Sequence, residues 1–154
     1  MMPCKNETEL EMEDMINILN HVPLNIIITD SEGVIIWCND MACKFTGYSK
    51  EDMIGENPRI LKQDDNDSKI YIDMWETIKT KKLIWKGHLK NKKKDGTSYE
   101  EELIIIPIKR GRRKPTHFVG IQQDVTEMEK LRKRESVKKA LAETVKQIEK
   151  IGKR

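Results

Sequence analysis

Three stretches between residues 84 and 124 constrain this chain more tightly than any other feature. From Ile84 to Lys92, Trp85, Gly87, Leu89 and Asn91 alternate with Lys86, His88, Lys90 and Lys92, the period-two pattern of a strand with one covered face. Lys94-Asp95-Gly96 reads as a turn, Tyr99 to Lys109 as the next strand, and Gly111 to Pro115 as a second connection. From Thr116 to Asp124, Phe118, Gly120 and Gln122 alternate with Val119, Ile121 and Gln123. Three strands joined by short turns make an antiparallel sheet, whose second face must be covered by flanking helices or a second subunit.

The upstream half supplies two more strands and several helices. Met12, Met15, Ile16, Leu19 and Val22 fall at helical spacing, so an amphipathic helix over Glu9 to Val22 opens the chain and Pro23 ends it. The β-branched Asn25–Asp30, the turn Ser31-Glu32-Gly33 and Val34–Asn39 form a hairpin. A short helix from Asp40 to Phe45 closes at Gly47, and Ser49 caps another that stops at Gly55. Asp67 or Ser68 can cap a longer helix reaching Lys81, with Ile70, Met74 and Ile78 on its apolar face and Tyr71 and Trp75 beside them. Between the last two helices, Gly55–Gln63 (GENPRILKQ) interrupts itself with Asn57-Pro58-Arg59. From Val125 the pattern is helical almost to the end. Val137, Leu141, Thr144, Ile148 and Ile151 form a seam of about two heptads. The fold class is α+β: a five-stranded antiparallel sheet with short helices on one face, flanked by an N-terminal amphipathic helix and a C-terminal helix.

Composition narrows the function. With 154 residues the chain holds one domain plus attachments. Its net charge of +3, from 29 basic and 26 acidic residues, implies no global attraction to nucleic acid. No apolar run approaches the roughly 20 residues of a membrane span, and no signal peptide is expected, so the chain reads as cytoplasmic. Cys4, Cys38 and Cys43 follow no metal-binding or disulfide spacing and are expected to be free thiols. The acidic run Asp64-Asp65-Asn66-Asp67 lacks the glycine and terminal glutamate of a calcium loop and suits helix capping. No catalytic grouping is present, so the chain is not expected to be an enzyme. The basic tips, Lys90–Lys94 and Lys109–Lys114, read as solvated loops.

Ile28-Thr29-Asp30, Asn39, Thr46-Gly47-Tyr48, Gly55–Leu61, Trp85-Lys86-Gly87, Asn91, Lys94-Asp95-Gly96, Pro107, Gly120 and Asp124-Val125-Thr126-Glu127 stand in an order and spacing that resembles a PAS domain. The resemblance covers Pro23 to Glu127. It divides the chain into an N-terminal flanking helix (1–22), a PAS domain (23–127) and a C-terminal signalling helix (128–154). It is nearest to the flavin-binding PAS domains, the light-sensing LOV group and the redox-sensing group that holds FAD. The resemblance implies a flavin, FAD ahead of FMN, and residues to hold it. Asn57 and Arg59 match positions beside the cofactor, and a guanidinium suits a ribityl phosphate. Asn91 matches the amide that reads the flavin's pyrimidine edge, and Trp85 matches a tryptophan of the FAD-holding group. Gln122 matches the glutamine that senses flavin N5 and passes the change to the exit helix.

Leu89, Leu103 and Phe118 complete the expected pocket, and Gly87 is expected to leave room in it. Pro58 replaces the cysteine that bonds to the excited flavin in LOV domains, so adduct chemistry is excluded unless another cysteine reaches the ring. Lys62 and Glu101 also depart from the LOV pattern. Glu101 faces inward, where a carboxylate is costly unless protonated or paired; it either pairs with a cation such as Lys62 or marks a pocket for something other than flavin. Haem is disfavoured because the long helix carries no histidine, and His88 and His117 point outward. The resemblance further implies a homodimer through the flanking helices and a downstream signalling domain or partner, such as a histidine kinase or diguanylate cyclase to which this module belongs. Two other readings stay open. One is a cofactor-free dimerisation module in which Trp85 and Phe118 pack on each other. The other is a small-metabolite pocket in which Glu101 reads an amine.

Overall fold

The computed structural model describes residues 9–63 and 66–153, so the readings made for Cys4 and for Asp64-Asp65 lie outside the described residues. Five strands, β1 (Asn25–Asp30), β2 (Ile35–Cys38), β3 (Trp85–Lys92), β4 (Ser98–Ile108) and β5 (His117–Asp124), form one sheet in the order β2-β1-β5-β4-β3. Every neighbouring pair is antiparallel, as expected. The first and last strands lie side by side at its centre, so the helices between β2 and β3 are free to fold back over one face. Turn chemistry fixes two of the three hairpins. Asp30 Oδ1 accepts from the Glu32 and Val34 amides at 2.9 and 3.0 Å, and Gly33 takes φ +83°, where a side chain would be strained. Asp95 and Gly96 do the same for β3–β4.

The helices are α1 (Met12–His21), α2 (Asp40–Thr46), α3 (Lys50–Met53), α4 (Ser68–Trp75) and α5 (Thr126–Gly152), with a 3₁₀ turn at Pro58–Leu61. Ser49 and Asp52 form the capping box of α3, and Asp67 caps α4. Asn57 explains the proline interruption. Its Oδ1 accepts from the Arg59 amide at 3.0 Å while Pro58, which has no N–H to lose, opens the turn. Regular helix does not run to Lys81. After Trp75 it widens into a π turn over Glu76–Thr80. There the Thr77 hydroxyl donates to the Asp73 carbonyl at 2.8 Å and competes for that acceptor.

Two apolar clusters hold the helices on the sheet. Ile27, Ile35, Cys38, Ala42, Met53 and Leu61 pack under α2 and α3, while Met74, Ile78, Trp85, Leu89, Leu103, Ile105 and Phe118 pack under α4. The joint between α1, β1 and α2 is polar. Buried Asn39 accepts through Oδ1 from the Ile26 and Ala42 amides, both at 3.0 Å, and donates through Nδ2 to the carbonyls of Leu19 (2.9 Å) and Leu24 (2.8 Å). By contrast α5 buries none of its residues and leaves Leu131, Val137, Leu141, Ile148 and Ile151 exposed. Among the described residues no helix is long and apolar enough to cross a membrane.

Asn39→Ala removes all four bonds and strands two donors and two acceptors in a buried joint. We expect a loss of about 3 kcal/mol in urea unfolding. An unchanged midpoint would show that water replaces the amide without cost.

Candidate functional site

Period two sets the inner face of the sheet, and register brings it together. Asn25, Leu103 and Gln122 lie abreast on β1, β4 and β5, and Leu89, Glu101 and Asp124 on β3, β4 and β5. Between this face, α4 and the 3₁₀ turn lies a cavity of about 340 Å³, within the roughly 300–1,000 Å³ of small-molecule sites. Asn57, Arg59, Leu89, Asn91, Glu101, Leu103, Phe118 and Gln122 line it. Arg59 is exposed at its mouth and Asn57 half-buried beside it.

Trp85 is the exception among the sequence-predicted residues. Its indole folds over Gly87, so close that a Cβ there would lie 2.1 Å from the ring, and Nε1 donates to Asp73 Oδ2 on α4 at 2.8 Å. Gly87 therefore makes room for Trp85 itself, not for a ligand. The indole N–H needs an acceptor when buried, and Asp73 draws the ring away from the cavity. The aromatic wall comes from Trp75, which the sequence placed beside the apolar face of α4 without assigning it to the site. Its ring meets Phe118 edge-on, with centroids 6.0 Å apart at 83°. Tyr71, Met74, Trp75 and Ile78 all line the cavity, and their i, i+3, i+4, i+7 spacing was the available signal.

The polar groups are few and buried. Glu101, only 1% exposed, accepts from Asn91 Nδ2 through Oε1 at 2.8 Å, while its Oε2 has no partner. Gln122 Oε1 is likewise buried and unpartnered. Lys62 does not pair with Glu101. Its ammonium sits over the Tyr71 ring, 4.6 Å from the centroid. Burial pushes the Glu101 carboxyl up to about 8, with the charge of Asp124 adding and the Asn91 bond opposing. Near neutral pH the acid therefore keeps its proton, and with Oε1 accepting from Asn91 it offers an O–H donor to the cavity. His88 pairs with Glu100 at 3.3 Å and His117 with Thr116 at 2.9 Å, and neither lines the cavity.

Glu101 makes stability depend on pH. Between its ordinary value of 4.5 and about 8, the folded protein holds a proton that the unfolded chain has released, so stability falls as pH rises through that window. Urea midpoints measured from pH 5 to pH 9 should decline for the native chain. The slope over the window should flatten in Glu101→Gln, and equal slopes would place the proton elsewhere.

A family model described as PAS domain matches residues 23–127. Among curated proteins, the chain is 32% identical over 101 residues to the nitrogen fixation regulatory protein of Klebsiella oxytoca, covering 66% of this chain and 20% of that one. It is 37% identical over 119 residues to the blue-light photoreceptor of Listeria monocytogenes, covering 75% and 46%. It thus spans a minor part of each. Among solved structures, the PAS domain of a Colwellia psychrerythraea protein superposes with a TM-score of 0.68 at 25% identity, over 75% of this chain and 98% of that one. The LOV domain of the Erythrobacter litoralis EL346 blue-light activated histidine kinase gives 0.63 at 25%, over 69% and 99%. The matched segment holds the whole sheet and every cavity-lining residue, and the chain belongs to the PAS domain family.

Proposed function

We propose that this PAS module is a cytoplasmic sensor that holds a flavin in the cavity, FAD in preference to FMN, and relays its redox or light state to α5. One observation carries the reading: two buried polar atoms without partners, Glu101 Oε2 and Gln122 Oε1, face the same apolar cavity from adjacent strands. Buried polar groups are rarely left unpaired, and a planar heterocycle with a polar edge would satisfy both. When bound, a flavin supplies blue-light absorption and electron exchange, with a ring nitrogen, N5, that changes hydrogen-bonding character.

This chain's residues divide the work. Protonated Glu101 donates, and Asn91, whose amide nitrogen is committed to Glu101, keeps its oxygen as an acceptor. Leu89, Leu103 and Phe118 supply apolar wall, and Arg59 meets phosphate at the mouth. Trp85 supports the wall from behind through Asp73. Gln122 can present either end of its amide, which suits it to register a change in its partner. Two residues on, Asp124 Oδ1 accepts from the Thr126 amide at 3.0 Å and Thr126 Oγ1 accepts from the Glu100 amide at 3.0 Å. The junction between β5 and α5 is therefore tied to β4, and movement of Gln122 reaches the helix along a short path. Cys38 and Cys43 are not among the lining residues, so neither of them would form a cysteinyl adduct. The exposed apolar rows of α1 and α5 are where a second copy and a downstream signalling domain or partner protein would engage.

In the cofactor-free reading Trp85 and Phe118 pack on each other; both lie in the cluster under α4, but the ring that meets Phe118 edge-on is Trp75 and the Trp85 indole turns to Asp73. A protonated Glu101 is also a poor reader of an amine.

Freshly purified protein should be yellow and release FAD on heating, with FMN as the alternative. A colourless preparation that takes up neither flavin would overturn the reading. Gln122→Leu should keep the flavin but abolish the difference in α5 hydrogen exchange between oxidised and reduced protein. If that difference persists, the relay runs through another residue.

A further inference from the structure

Cys38 ends β2 and Cys43 lies in α2, five residues on. Asn39 caps the helix between them, and this turn of the chain brings the two sulfurs within 3.6 Å of each other. Both are free thiols, Cys38 buried and Cys43 partly accessible. Neither lines the cavity, so the pair is independent of the flavin reading.

We propose that Cys38 and Cys43 form a modification site that a peroxide closes to a disulfide. Cys43, the less buried of the two residues, attacks a peroxide oxygen through its sulfur. The O–O bond breaks, the departing oxygen takes up the thiol's proton and leaves as water or an alcohol, and Cys43 becomes a sulfenic acid. The Cys38 sulfur then attacks the Cys43 sulfur. An S–S bond forms, the S–O bond breaks, and the hydroxyl leaves as water with the Cys38 proton. Two thiols are oxidised by two electrons and one peroxide is reduced.

The division of roles follows from placement. Burial, then the hydrogen bond and charge of Cys43, push the Cys38 thiol up to about 12, which keeps it from attacking an oxidant first but leaves it beside the sulfenic acid. Lys50 and Asp40 are the charged groups whose fields reach Cys38; they act in opposite directions and pair with each other at 2.8 Å. Bonding at about 2.05 Å asks each sulfur to move by less than about 1 Å, within rotamer adjustment. The bridge would close a small ring around Asn39, the residue that seats the end of α1.

The test treats the reduced full chain with hydrogen peroxide, alkylates it with iodoacetamide under denaturing conditions and maps it with trypsin. Tryptic peptide 6–44 contains Cys38 and Cys43 and no other cysteine. Its mass should fall by two hydrogens with no alkyl group added, and dithiothreitol should restore two alkylatable thiols. Cys38→Ser should leave Cys43 as a sulfenic acid that dimedone traps, and Cys43→Ser should leave Cys38 unoxidised. Three results would overturn the proposal: both thiols still alkylated after peroxide, Cys43 carried to sulfinic acid beside a free Cys38, or a bridge to Cys4 or to a second chain. The native-chain map decides the matter even if a serine variant fails to fold.

Discussion

The arrangement depends on one side-chain amide. Asn39 has two lone pairs and two N–H groups, and all four are used on three segments: the end of α1 with the residue before β1, the start of β1, and the first turn of α2. A saturated buried amide is directional where apolar packing is not. It fixes where β2 ends and at what angle α2 leaves, so Ala42, Met53 and Leu61 come down on Ile27 and Ile35. It also sets Cys43 against Cys38. An aliphatic residue of similar size would fill the space but leave α1 only the Asp40 amide, which donates to Asn20 Oδ1 at 3.1 Å, to tie it to α2.

The second constraint is the cost of polarity inside an apolar cavity. A carboxylate at the position of Glu101 would be expensive, and among the described residues no cation pairs with it. The charge is avoided by protonation, and Asn91 orients the neutral acid. This converts a charged misfit into a hydrogen-bond donor for the cavity that Gln122 also lines. Trp85 and Asp73 solve a similar problem at the edge of the sheet, where one indole N–H meets one carboxylate. That contact ties β3 to α4 and leaves Trp75 to form the aromatic wall.

At the exit, the β5–α5 junction is held rigidly although the helix beyond it is bare. The Val125 amide donates to the Glu100 carbonyl at 2.9 Å, and Lys133 reaches the Glu100 carboxylate at 3.3 Å. Among the described residues the apolar row of α5 has no partner, and under the proposed relay small displacements of β5 would turn the helix as a lever. A stiff root and an unpartnered shaft suit a helix that transmits position to a neighbour.

Much of the fold was legible because it rests on local rules. Alternation placed Leu89, Asn91 and Gln122 on the covered face, since period two admits no other arrangement. Asp95, Ser49 and Asp67 announced their turn and caps because a short side chain bonds backbone only a few residues away. Pro58 settled the absence of a thiol at that position outright. The boundaries were softer: α1 begins at Met12 rather than Glu9, and α4 gives way to a π turn where Thr77 competes for a carbonyl. Partner choice belonged to the tertiary structure. Trp85 turned to Asp73, Asn91 to Glu101, Lys62 to Tyr71, and Cys38 to Cys43. A sequence fixes which face a side chain leaves from, because backbone geometry repeats; it does not fix which of several groups on other elements that side chain will meet, because this depends on how those elements pack.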